Sequence, residues 1–190
     1  KNPFTNKNNT KAVIYVVRDP RNVITSLSNH YSLDIEESSN FMTNEDKMLV
    51  GDEWGKEDYG ISAVLSSWSV HYKSWSSIKF APVIIVKYED LMKDTKNSLI
   101  GVLEFLKKLM DIKIDDKKIL NTINSCNFEN LAKMEKEKGF HEAVYSQKNK
   151  KKINFFHLGK KNDWKNLLDS KTTEKLNKTF YKEMKELGYI

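Results

Sequence analysis

The chain has 190 residues, the size of one domain or of most of a larger one, with a single sizeable core, and more than two domains are not expected. With 39% hydrophobic and 31% charged residues and a mean hydropathy of -0.63, it reads as a soluble globular protein, and no stretch approaches the roughly 20 apolar residues of a bilayer span. Its 32 basic and 26 acidic residues give a formal charge of +6, which favours anionic partners without naming one.

The chain opens at Lys1 on a polar stretch, KNPFTNKNNT, with neither a signal peptide nor a transit pattern, and is read as a piece of a longer protein. Lys11 to Val17 is a short β-branched run of the kind buried on both faces of a parallel sheet. Asp19-Pro20 then starts a helix, Asp19 as cap and Pro20 at the first helical position, running to about Leu33. Val23, Ile24, Leu27 and Tyr31 fall on one side of it, and Asn22, Thr25, Ser26 and Asn29 on the other. Asp34 to Asp58 is acidic, irregular and broken by Gly51 and Gly55, a surface excursion with room for one short helix. Tyr59 to Lys79 has helical spacing, and Val83 to Lys87 is a second buried-type strand. Helical patterns follow over about Lys93–Leu109, Asp115–Ser125 and Phe128–Glu137. Gly139 to Asn166 has no period and includes the lysines of Lys148 to Lys152. A helix from about Ser170 to Leu187 closes the chain, with Leu176, Phe180 and Met184 inward. Strands separated by helical crossovers predict an α/β fold whose ligands bind beyond the carboxyl ends of parallel strands.

Only two arginines occur, Arg18 and Arg21, against 30 lysines. Arg18 ends the first strand at the mouth of a helix whose free N–H groups and dipole favour an anion, and Ser26 lies two turns on along the polar face. Arginine in a chain that otherwise uses lysine suggests a planar fork for bidentate contact, while the same residues also fit a capped helix with two solvated arginines. The second strand leads into Tyr88-Glu89-Asp90 on the same edge if the sheet is parallel. Its carboxylates are read as bracing the edge in preference to acid–base work. Phe128, at a helix junction, can stack on a base or fill a core. The seven glycines never form a GxxxxGK[ST] loop, and the four tryptophans read as packing residues. Cys126 stands alone and His30, His71, His141 and His157 lack ligand spacing, so neither a disulfide framework nor a metal is expected, and a reducing compartment suits the composition.

Four segments together resemble PAPS-dependent sulfotransferases. Arg18 to Ser26, RDPRNVITS after an apolar strand, is similar to their 3'-phosphate-binding strand–helix segment. Val86 to Leu91, VKYEDL, resembles the segment whose tyrosine, here Tyr88, lies near the adenine, and Cys126 to Leu131 resembles the adenine-side segment with Phe128 at the stacking position. Phe155 to Lys165, FFHLGKKNDWK, resembles the loop that closes over the 3'-phosphate. The resemblance spans nearly the whole chain and implies a P-loop-NTPase-like three-layer α/β/α fold, with residues 1–190 as the C-terminal portion of a single sulfotransferase domain. It further implies that PAPS or its product PAP is held by Arg18, Ser26, Tyr88, Phe128, His157, Leu158 and Gly159. The implied acceptor is a small molecule or saccharide offering a hydroxyl or amine, with no nucleic-acid partner and a cytoplasmic location.

Two departures are visible. His157-Leu158-Gly159 stands where the family has Arg-Lys-Gly, removing two cations at the phosphate, for which Lys160 or Lys161 could compensate. Lys165 and Glu174 keep the spacing of the family's dimer motif, but Asp169-Ser170 replaces its central Thr-Val pair. The family's 5'-phosphosulfate loop and catalytic histidine precede these segments, so no catalytic residue is assigned here and the chain alone is expected to be inactive. Two rival readings are a nucleotide kinase of related fold and a non-enzymatic basic module that binds anionic polymers.

Overall fold

The computed structural model describes residues 5–49, 63–140, 144–146 and 150–190. In chain order it contains β1 (Val13–Val17), α1 (Pro20–Tyr31), α2 (Ile35–Thr43), β2 (Met48–Leu49), β3 (Ala63–Val64), α3 (Trp68–Ser76) and β4 (Val83–Lys87). Next come α4 (Tyr88–Lys93), α5 (Thr95–Lys107), α6 (Asp116–Ser125) and α7 (Phe128–Lys138), a 3-10 turn (Gly159–Lys161), α8 (Trp164–Leu167), α9 (Ser170–Thr179) and α10 (Tyr181–Glu186). β1 and β4 pair in parallel, from Val13 opposite Val83 to Val17 opposite Lys87. The fold is α/β, parallel strands flanked by helices. β2 and β3 form a separate short antiparallel pair.

The helix starts follow from side-chain caps. Asp19, Asp34, Ser67, Asp94, Asp115, Asn127, Asp163 and Asp169 each accept a backbone N–H from the first turn of the helix they precede. Such a bond satisfies one of the four N–H groups a helix start leaves orphaned, each worth about 1 kcal/mol. At α2 the cap is reciprocal, Glu37 returning a bond to the Asp34 N–H. These caps also correct the predicted boundaries. The helix expected over Tyr59–Lys79 begins only at Trp68, because Ser67 caps it and Ala63–Val64 pair with β2; its residues 59–62 lie outside the described residues. Asp94 divides the predicted 93–109 helix from α4, whose C-terminal residue it also caps. The closing helix is broken at Phe180, and the 139–166 segment, expected to lack structure, holds the 3-10 turn and α8.

The core lies among helices, where Ile24 of α1 and Met42 of α2 meet Leu176, Phe180 and Met184, with Trp68 and Leu168 against them. The inward triad predicted for the last helix is therefore correct. Tyr31, assigned to the apolar side of α1, is 37% exposed, and Thr25 from the polar side is buried. The strands are not buried on both faces as predicted. Tyr15 packs under α3, its hydroxyl 2.8 Å from His71 Nδ1 and its ring beside Tyr72, whereas Ile14 and Val16 on the opposite face are 43% and 54% exposed. Among the described residues α3 covers only one face of β1.

Leu176 is fully buried, so Leu176→Ala should lower unfolding free energy by about 2–5 kcal/mol, read as a reduced denaturant midpoint at unchanged slope. Burial pushes the Tyr15 and Tyr72 hydroxyls up to about 12, Tyr15 aided by Tyr72 and Tyr72 by its bond to Glu186. Because the folded state holds these protons more tightly than the unfolded chain, their contribution is intact below about pH 10 and lost as pH rises toward 12. Alkaline unfolding, followed with tyrosinate absorbance, should fall in that window and shift for Tyr72→Phe.

Candidate functional site

The parallel register sets Val17 beside Lys87, so the next residue of each strand, Arg18 and Tyr88, meets the other beyond the carboxyl edge. The Arg18 guanidinium lies 4.3 Å from the centre of the Tyr88 ring, a cation–π contact that orients the fork. Nη1 of Arg18 reaches Ser26 Oγ at 3.5 Å, a long contact, and Nε is buried with no hydrogen-bond partner among the described residues. A buried donor without an acceptor costs about 1–3 kcal/mol. Arg18 is thus an arginine with donors to spare, held in place by an aromatic face.

Arg21 is its opposite. Only 5% exposed, it forks onto Asp19 at 2.7–3.2 Å, donates to Asn177 Oδ1 and to the Tyr189 carbonyl, and stacks on Trp164 at 4.0 Å. The reading of two solvated arginines is corrected for Arg21 by this enclosure. Asp19 also accepts the Arg21 N–H, while its carbonyl accepts those of Asn22 and Val23. The helix mouth therefore has no free N–H among Arg21, Asn22 and Val23, contrary to expectation, because its own cap residue uses them.

Glu89 braces the same edge, as predicted, accepting from the Asp19 N–H at 3.0 Å and the Tyr189 hydroxyl at 2.9 Å. Burial, with Glu89 beside it, raises the pKa of Tyr189 well above the ordinary phenol value. Sequence reasoning missed Tyr189, whose contacts arise across 100 or more residues.

The closing segment folds onto this platform through Asn162 and Trp164. Asn162 Nδ2 donates to Ser26 Oγ at 2.9 Å and to the Asn22 carbonyl, and the Trp164 N–H donates to Asn22 Oδ1. Farther back, buried Glu135 of α7 accepts the N–H groups of Phe155 and Phe156 at 2.8 and 3.0 Å, turning the chain toward His157, Leu158 and Gly159. His157 is exposed, as are Lys160 and Lys161, while Leu158 and Gly159 are half-buried. Gly159 adopts φ +54°, and a Cβ there would stand 2.8 Å from two atoms of the Phe128 ring. The fold thus joins Arg18, Ser26 and Tyr88 in one group and Phe128 with Gly159 in another. Asn162 connects the groups. The lysine segment at 148–152 falls partly outside the described residues.

Gly159→Ala should force Phe128 away and strain the left-handed turn, with a stability loss of about 1–3 kcal/mol in thermal or denaturant unfolding. Phe128→Ala in the same chain should recover part of it, since it removes the clash but not the strain.

Comparison with known proteins gives this geometry a family. Residues 3–188 match the model of the sulfotransferase domain. The chain is 25% identical to the amine sulfotransferase of Oryctolagus cuniculus, covering 97% of this chain and 58% of that protein. It is 27% identical to flavonol 3-sulfotransferase of Flaveria bidentis, covering 94% and 56%. Among solved structures, a mouse sulfotransferase complexed with PAP superposes with a TM-score of 0.56 at 19% identity, over 91% of this chain and 58% of that one. Retinol dehydratase in complex with androsterone and inactive cofactor PAP gives 0.62 at 19% identity, over 94% and 48%. The chain spans little more than half the length of the curated relatives it matches. Four motif segments in order, a fold shared with PAP-bound structures and a family match over almost every residue lead to one conclusion: this chain belongs to the sulfotransferase domain family.

Proposed function

We propose that the chain forms the 3'-phosphate and adenine side of a PAPS site in an enzyme that transfers a sulfuryl group to a hydroxyl or amine. The observation that carries this reading is the Arg18 fork, held over the Tyr88 ring and making among the described residues only one hydrogen bond, the long contact of Nη1 to Ser26. Oxygens of a phosphate would supply acceptors for its Nη groups, and charge-assisted bonds to a planar fork are the stronger kind. The residues present therefore fit the group. Arg18 and Ser26 take the 3'-phosphate. Tyr88, whose ring steadies Arg18, and Phe128, packed on Gly159, flank the adenine. His157, Leu158 and Gly159 border the phosphate from the closing loop, and the exposed Lys160 and Lys161 offer the charge that His157 and Leu158 do not.

When bound, PAPS supplies the activated sulfuryl group. The residues of this chain bind and orient the donor, and none is assigned as the base that takes the acceptor's proton. The acceptor is read as a small molecule or saccharide, consistent with relatives named for amines and flavonols. A cytoplasmic setting accords with the free, exposed Cys126, and no helix among the described residues is long and apolar enough to cross a membrane.

Titration calorimetry with adenosine 3',5'-bisphosphate, 5'-AMP and ATP tests the reading. The bisphosphate should bind best, and Arg18→Ala should weaken it about a hundredfold or more while leaving 5'-AMP little changed. The chain alone should bind it without sulfating an acceptor. A preference for ATP would favour a kinase, and binding that falls steeply with salt and ignores the 3'-phosphate would favour a basic polymer-binding module.

A further inference from the structure

We propose that Asn162 is a positioning residue that fixes the hydroxyl of Ser26 as a hydrogen-bond donor toward a bound anion. The proposal rests on the donor-site reading above and deepens it.

The side chain of Asn162 is buried and its orientation follows from its neighbours. One of its terminal atoms lies 3.1 Å from the Asn22 carbonyl, which can only accept, so that atom is the amide nitrogen. The other lies 2.5 Å from Thr25 Oγ1, whose proton it accepts. The two N–H bonds of Asn162 therefore go to the Asn22 carbonyl and, at 2.9 Å, to Ser26 Oγ.

The consequence falls on Ser26. A helical serine hydroxyl ordinarily rests on the carbonyl four residues back. Here that carbonyl belongs to Asn22, and it already accepts from Asn162 Nδ2. A hydroxyl carries two lone pairs and one proton. The lone pairs of Ser26 face Asn162 Nδ2 at 2.9 Å and Arg18 Nη1 at 3.5 Å, and its proton has no acceptor among the described residues. Ser26 is exposed at this point, beside the unsatisfied guanidinium. The amide thus turns an amphoteric group into a donor, which favours an unprotonated phosphate oxygen over a neutral hydroxyl. It does so only while residues 159–162 lie against α1, so the closing loop and the donor state of Ser26 are set together.

A double-mutant cycle on the 190-residue chain tests this, with adenosine 3',5'-bisphosphate and 5'-AMP as the titrants. Asn162→Ala and Ser26→Ala should each weaken the bisphosphate about tenfold with 5'-AMP little affected, and the double variant should lose no more than the larger single loss. Additive losses, or an Asn162→Ala variant that weakens both ligands equally, would overturn the proposal in favour of simple loop support. Asn162→Asp guards against an unfolded alanine variant. It keeps the shape and the Thr25 contact, and a thermal melt shows that it tolerates a carboxylate oxygen against the Asn22 carbonyl; that oxygen accepts the Ser26 proton, so the preference for the bisphosphate should fall there too, and a retained preference in the folded variant would overturn the proposal. A wild-type chain with no preference for the bisphosphate would sink the donor-site reading and this inference with it, whereas wild-type preference combined with additive losses would sink this inference alone.

Discussion

Everything at the carboxyl edge depends on the buried pair of Asp19 and Arg21. Asp19 caps α1, accepts the fork of Arg21 and gives its own N–H to Glu89, while Arg21 reaches the Tyr189 carbonyl, Asn177 and the face of Trp164. One knot therefore fixes the strand–helix junction against α4, α9, the closing segment and the chain's last residues. Removing two charges from water costs several kcal/mol, which their attraction and added bonds largely offset, so the pair contributes position more than net stability. Taking away one member would leave the other charged and buried, the costlier state.

That position decides what Arg18 can do. Its backbone is set by the knot and by the parallel register, and its guanidinium by Tyr88, yet among the described residues it makes only the long bond to Ser26. The two arginines stand three residues apart with opposite assignments: Arg21 is consumed by structure, and Arg18 is kept from it. Departure from full polar satisfaction is expected where a ligand completes the bonding, and Arg18 shows it at the carboxyl edge.

The closing segment shows how an irregular stretch acquires order. Glu135 turns the chain by accepting two successive N–H groups, Gly159 supplies a left-handed turn that also clears the Phe128 ring, and Asn162 and Trp164 dock the result on Asn22. None of these contacts carries a periodic signal. The bonds of Glu135, Asn162 and Asn22 each link a polar side chain to backbone groups far away in sequence, and burial makes such bonds obligatory.

The sequence by itself determined the local features: the two β-branched strands, the Asp19 cap, the inward stripe of Leu176, Phe180 and Met184, and the unusual arginines at 18 and 21. It could do so because helix starts, hydrophobic periods and strand runs are decided by neighbours a few residues apart. It also permitted the family resemblance, since the four segments keep their order. Only the tertiary structure separated Arg18 from Arg21, closed the N–H groups of the α1 mouth, left Ile14 and Val16 uncovered, and brought Asn162 to Ser26 and Tyr189 to Glu89. Those outcomes turn on which polar group finds a partner when water is removed. A buried donor is satisfied by whatever acceptor the folded chain places within about 3 Å, and that placement is a property of the assembled elements rather than of any one of them.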